Sequence, residues 1–376
     1  MDAAALSAQL VERIDADALR AAAARLDPPA EQAEHAAKGL RKLCEHTENA
    51  ALRESTVGAL CESCGARSAL CAAISAATAA IDGIDARADA DTAACGLLRW
   101  GHMRVNCLAV LMQMACSEAR CVALLGEDRA PAAAAANLLL SPGARTDLEG
   151  VRLAVNLLRN LAMPAANKRA VGAVGAAEAL LAHVGHRDPN VASLVGATLR
   201  LLVDGCAPNA CELAARYFAR AGADADARQS AAGPFGALIN LDLTKLHPFG
   251  RAELARFVCI TISACCRPPA ESAPSESPHL PLATQLALSA PAALEFGAFG
   301  LTSRHAQLHR EVCDALNAAH AVHVAAGAAD DAAGAWRAMR LSAGGEAIPL
   351  LELLRRCVSA GTLRADECAA LLQCAS

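Results

Sequence analysis

Apolar residues recur along most of this chain at the three-and-four spacing of a helix with one buried face, and almost nowhere at the alternating spacing of a strand. The clearest stretch runs from Gly150 to Gly175, GVRLAVNLLRNLAMPAANKRAVGAVG. It reads as an apolar-periodic helix, a break at Met163-Pro164, a second helix opening near Asn167, and a stop at Gly175. Upstream, Leu108 to Ala115 followed by Ser117 to Leu125 has the same form of helix, break and helix, and so does Val57 to Ile74. A single helix is predicted over Ala4 to Leu26, ended by Asp27-Pro28-Pro29.

The strong unit has copies. Leu199-Arg200-Leu201-Leu202-Val203 aligns with Leu158-Arg159-Asn160-Leu161-Ala162, and Leu238-Ile239-Asn240-Leu241 is a further match. Asn160 to Leu201 is 41 residues and Leu201 to Asn240 is 39, near the roughly 40-residue period of armadillo and HEAT units. The expected fold is therefore all-α: an armadillo/HEAT-like α-solenoid, a right-handed superhelix of about 6–8 repeats in which each unit buries its apolar face on the next. Residues 1–45 are expected to form N-terminal capping helices and 46–376 the repeat array, with a late unit around Glu311 to Val322. Two interruptions stand out. An acidic connection is expected near 82–91, and a flexible loop near 266–281, where CRPPAESAPSESPHLP cannot continue a helix.

Composition sharpens this picture. Hydrophobic residues reach 55% but aromatics only 2%, so the core must be built from Ala, Leu, Val and Cys, which suits close helix packing. A net charge of −5 with no stripe of Lys and Arg excludes nucleic acid as a partner. The start, Met1-Asp2-Ala3-Ala4-Ala5-Leu6, lacks the basic region of a presequence, and the apolar runs Pro131 to Leu140 and Pro281 to Leu294 are too short for a membrane span. Seventeen cysteines scattered without framework spacing fit a reduced, cytoplasmic setting.

Chemistry at single sites is sparse. Cys61-Glu62-Ser63-Cys64 has metal-site spacing, but no second pair completes a tetrahedral set, so both thiols are read as buried helix cysteines. His305 with His309, and His320 with His323, share helix faces; with no HExxH pattern they read as solvated or partly packed histidines, even with Glu311 as a conceivable third ligand. Neither a phosphate-cradling loop, a nucleophile elbow nor a catalytic carboxylate pair is present. The expectation is a binding protein with no enzyme activity, no cofactor and no metal.

The candidate contacts lie on the long third helices, which line the groove of such a stack. Asn156 and Asn160 fall on one face with Arg152 and Arg159 beside them, and an Asn amide matches the donor and acceptor of one peptide unit. Equally, Asn160 would serve to tie its own helix junction together. Arg200, Asp204 and Asn240 would continue the same wall, or stand as a solvated surface. Asp82, Asp85, Asp89 and Asp91 form an acidic run that either steers a basic partner or is simply a solvated loop.

The stretch Leu158-Arg159-Asn160-Leu161-Ala162-Met163-Pro164 with Asn167-Lys168, continuing through Gly196 to Asp204, resembles the small-G-protein GDP-dissociation stimulator family, SmgGDS. The resemblance implies a cytoplasmic armadillo protein that binds Rho-, Ras- or Rap-type small GTPases bearing a polybasic tail and favours their nucleotide-open state. It places Gln113 and Ser117 where the family carries a pair of asparagines at the end of a third helix. The alternative is an adaptor for an extended peptide, with no GTPase partner.

Overall fold

Polar caps set where the helices begin. Asp15, Asn49, Ser117, Asp147 and Asp188 each accept hydrogen bonds from backbone N–H groups in the first turn that follows, satisfying donors a helix start leaves open. The structure, a computed structural model, describes residues 3–45, 49–85, 90–126, 128–213, 246–266, 306–325, 340–343 and 346–369. It divides into two units, Met1–Ala182 and His183–Ser376.

The first unit is helical throughout its described residues. Its order is α1 (Ala3–Glu12), α2 (Ala16–Arg25), α3 (Glu31–Cys44), α4 (Ala50–Glu62), α5 (Cys64–Asp85), α6 (Ala90–Met114), α7 (Glu118–Leu125), α8 (Ala130–Leu140), α9 (Leu148–Ala162), α10 (Ala165–Ala173) and α11 (Ala176–Leu181). Every third helix packs on the next of its kind. A first row runs α1, α4, α7, α10; a second α2, α5, α8, α11; and a third α3, α6, α9. This is the armadillo-like arrangement that the periodicity predicts, and the 1–45 segment fills the terminal place of all three rows. The segment Ala4 to Leu26 is two helices and not one, because Asp15 offers its carboxylate to the N–H groups of Asp17 and Ala18 and starts α2 afresh.

Small apolar side chains fill the spaces between rows, as the composition requires: Ala36, Ala37, Leu40, Ala73, Ile74, Ala77, Leu108, Ala135, Leu157 and Leu158 are all buried. The few aromatic residues are placed deliberately. Trp100 on α6 is wholly buried and its indole N–H donates to the Asp27 carbonyl at 3.0 Å, pinning α6 to the connection between α2 and α3. By length and composition, Cys64–Ile84 of α5 would suffice to cross a membrane, yet α5 is the central helix of the second row and packs on α2, α6 and α8.

In the second unit, α12 (Pro189–Val203), α13 (Ala207–Leu213), α14 (Pro248–Cys266), α15 (Ala306–Ala325) and α16 (Leu350–Ser359) are described. The long helices again stack in sequence, α12 on α14 and α14 on α15. Two glycines permit the first crossing: a Cβ on Gly196 would lie 3.2 Å from the Gly250 carbonyl oxygen, and one on Gly250 would lie 2.8 Å from Ser193 Oγ. A short antiparallel hairpin, β1 (Arg340–Ala343) with β2 (Glu346–Pro349), pairs Leu341 with Ile348 and is the one departure from all-helical structure among the described residues. Asn240 and the greater part of the proline-rich 266–281 segment lie outside them.

Cysteine acts mainly as a small core residue. Burial pushes the thiols of Cys44, Cys71, Cys107 and Cys259 up to about 12, and that of Cys121 to about 11, from an ordinary value near 9. Because each folded value is raised, the stability these thiols contribute is intact below about pH 9 and is lost as pH rises toward 11 or 12. Stability measured by urea unfolding is therefore expected to hold flat through neutral pH and fall above pH 9; a midpoint unchanged up to pH 11 would contradict it. Cys64 corrects the sequence reading. It opens α5 as an exposed residue, while Cys61 is half-buried with its Sγ 3.8 Å from the Met114 carbonyl oxygen.

Candidate partner-binding face

The helix α9 owes its shape to a strict division of faces. Val151, Ala154, Val155, Leu157, Leu158, Leu161 and Ala162 are buried, whereas Leu148, Arg152, Arg159 and Met163 are exposed along the opposite side. Asn156 and Asn160 flank that exposed ridge, half-buried and one turn apart. Neither Arg152 nor Arg159 has an ion-pair partner among the described residues, and no hydrogen bond there involves the Asn160 amide. Asn156 turns its Nδ2 back to the Arg152 carbonyl at 3.0 Å, which leaves its own carbonyl oxygen for a partner.

The junction role that Asn160 was a candidate for belongs to another residue. Asn167, on α10 and only 4% exposed, donates from Nδ2 to the carbonyls of both Leu161 and Cys121, each at 3.0 Å. That single amide fastens α10 to the ends of α9 and α7. In the second unit Asn209 on α13 repeats the device, donating to the Leu202 carbonyl at the end of α12 at 3.0 Å. The two asparagines stand 42 residues apart, a repeat length, and each opens the short helix that follows a long one. Nothing in the local sequence pattern separates Asn167 from Asn160 for this role.

A cluster of charged residues gives the third row its form. Arg41 on α3 donates to Glu45 on its own helix at 3.1 Å, to Oδ1 of the Asn106 side chain on α6 at 3.4 Å, and to Glu149 on α9 at 3.4 Å. Neighbouring helix axes lie about 8–10 Å apart, so in a flat row α3 and α9 would stand about 16–20 Å from one another. Arg41 and Glu149 together span that distance, tying α3 to α9 across Asn106 on α6. Arg99 on α6 likewise pairs with Glu34 on α3 at 2.9 Å and donates to the Pro29 carbonyl at 2.8 Å. Deeper still, Arg104 on α6 is 1% exposed and binds Asp147 at 2.6 Å, the same Asp147 that caps α9.

The remaining candidates fare differently. Gln113 is half-buried near the end of α6, seven residues beyond Asn106, but α6 ends at Met114. Ser117 therefore does not continue that helix face. Its hydroxyl caps α7 by accepting from the Arg120 N–H. Arg200 and Asp204 lie in the second unit and pair with each other at 3.0 Å, and Arg200 also binds the buried Glu253 at 2.5 Å, so both are committed within the stack. Of the acidic run, Asp82 is not on a loop. It lies within α5, half-buried, and its carboxylate accepts the Gly143 N–H at 3.1 Å. Asp85 ends α5 and Asp91 stands in the first turn of α6, which reduces the connection to residues 86–89; the side chains of Asp85 and Asp91, and Asp89 altogether, lie outside the described residues.

Among the described residues no group of three His, Cys, Asp or Glu side chains could hold a metal ion. His309 is buried on α15, and His305 and the side chains of His320 and His323 lie outside the described residues.

No family model matches the chain, and no curated protein matches it. Among solved structures it is similar to a designed armadillo repeat protein, with 13% identity and a TM-score of 0.46 over 80% of this chain and 99% of that one. A second similarity is to another engineered protein, at 18% identity and a TM-score of 0.41 over 76% of this chain and 97% of that one. By the packing of its own helical rows, the chain is an all-α, armadillo-like repeat protein, and the exposed ridge of α9 belongs to the row that Arg41 ties together.

Proposed function

We propose that this chain is a cytosolic protein-binding scaffold, that it holds its partner against the third row of its first unit, and that the partner is a small GTPase of the Rho, Ras or Rap type. One observation carries the binding role: α9 keeps Arg152, Asn156, Arg159 and Asn160 on one accessible side, while its structural bonds are made by Asn167 and Arg104 instead. A helix face on which Arg152, Arg159 and the Asn160 amide make no side-chain bond to the other described residues, and on which Asn156 keeps its amide oxygen outward, is available to a ligand. The GTPase assignment rests on the resemblance through Leu158 to Lys168 and Gly196 to Asp204. The scaffold would act without covalent chemistry, by preferring one conformation of the GTPase over another and so loosening its nucleotide.

The test is fluorescent-GDP release, together with direct binding, on a panel of Rho, Ras and Rap proteins. Replacing Arg152, Asn156, Arg159 and Asn160 together by alanine is expected to weaken binding by tenfold or more, about 1.4 kcal/mol, because central interface residues carry most of the energy. All four lie on an accessible ridge, so the melting temperature should stay within about 2 °C of the parent. Binding left unchanged by the fourfold variant would place the partner elsewhere. Binding to none of the GTPases, with an extended peptide bound instead, would favour the adaptor reading.

A further inference from the structure

The face just described has a charge opposite to that of the chain that carries it. The protein as a whole is at −5. Within the third row of the first unit, however, most described carboxylates are paired: Glu34 with Arg99 and Asp147 with Arg104, while Glu45 and Glu149 share the single charge of Arg41. Glu31 is the exception. Among the described residues, the cations of this row without an ion pair are Lys38 and Lys42 on α3 and Arg152 and Arg159 on α9, all of them exposed. Set against Glu31 and the one carboxylate that Arg41 leaves over, these four give the row a positive excess that the chain as a whole does not have.

The ridge is not purely ionic. Leu148 and Met163, 39% and 56% exposed, stand at its two ends, and the amides of Asn156 and Asn160 lie between. Cations with apolar neighbours and side-chain amides suit a chain segment whose carboxylates meet the arginines, whose peptide groups meet the amides, and whose apolar side chains cover the leucine and methionine.

We propose that the α9 ridge, extended by Lys38 and Lys42, takes an acidic, leucine-bearing segment of the partner, and that a polybasic tail is not what this face holds. The inference rests on the reading of α9 as a binding surface and specifies the chemistry of what binds there. Acidic carboxylates would form fork-like bonds with Arg152 and Arg159, and like charge would exclude a basic segment.

The experiment uses the full chain and three fluorescein-labelled peptides of equal length: one rich in Asp and Glu with interspersed Leu, one in which Lys replaces every acid, and one in which Gln does. Fluorescence anisotropy should show the acidic peptide binding at least about tenfold tighter than the basic one, with affinity falling as salt is raised. The double variant Arg152→Glu with Arg159→Glu should abolish that preference or reverse it, and Lys38→Ala with Lys42→Ala should reduce it by a smaller factor. Equal or tighter binding of the basic peptide overturns the proposal, as does acidic-peptide binding that the double variant leaves unchanged. If a GTPase binds the ridge while the acidic peptide does not, the proposal fails and the scaffold reading stands. If neither binds, both fail.

Discussion

Asp147→Ala is expected to destabilise the first unit by about 4 kcal/mol and to lower its melting temperature by roughly 10 °C. Two losses combine. The carboxylate accepts the Gly150 N–H at 2.8 Å and caps α9, a role whose removal costs about 1 kcal/mol. It is also the one partner of the buried Arg104 guanidinium among the described residues, where Nε and Nη1 make no hydrogen bond. Removing the acid strands a charge in the core, and breaking a buried pair from one side costs about 3–5 kcal/mol. A second variant reaches the same point by geometry. A Cβ added at Gly150 would lie 2.0 Å from Asp147 Oδ2, so Gly150→Ala must push the carboxylate off its site and should approach the effect of Asp147→Ala. Glu149→Ala, next door but on the exposed side, is the control and should cost less than about 1 kcal/mol. A melting temperature for Asp147→Ala within about 2 °C of the parent would show that Arg104 finds other partners.

Arg256→Met should destabilise the second unit by about 2–3 kcal/mol. Arg256 on α14 reaches Glu311 on α15 with both Nε and Nη2, at 2.9 and 2.8 Å, and touches Glu253 with Nη1 at 3.3 Å. The forked bond with Glu311 pushes the guanidinium above its ordinary value, so Arg256 stays charged across the working range. The effect is smaller than at Asp147 because Glu253 keeps Arg200 and because Arg256 and Glu311 are each partly exposed. Arg256→Lys should recover only part of the loss, since an ammonium cannot supply the planar fork. Amide exchange should rise in α14 and α15 together. If Arg256→Met left exchange in α15 untouched, the ion pair would have no part in holding that helix down.

Much of the helical plan could be read directly. The break at Met163-Pro164 and the stop at Gly175 follow from backbone chemistry confined to a few neighbouring residues. Two boundaries were missed for the same local reason. Asp15 sits inside a run that is periodic on both sides, and only its carboxylate marks the new start. The acids at Asp82 and Asp85 drew attention to charge, although Ile81 and Ile84 beside them are buried and carry α5 through.

The candidate face was legible only in part. Spacing put Arg152, Asn156, Arg159 and Asn160 on one side of one helix, as observed. It could not tell an amide that faces solvent from one that faces the core, and so it leaves Asn160 open to both the groove and the junction role. Nor could spacing find Arg41, whose partners lie 65 and 108 residues away. Contacts of that range depend on how the rows pack, and short-range pattern does not contain them.

Arg41 also changes how the first unit should come apart. In an ideal linear array each module gains stability only from the modules beside it, and unravelling can creep inward from either end. A link from the opening module across the second to the third adds a next-nearest-neighbour term, so these three are coupled more tightly than adjacency alone provides. Fraying at the amino end then costs α9 one of its own supports.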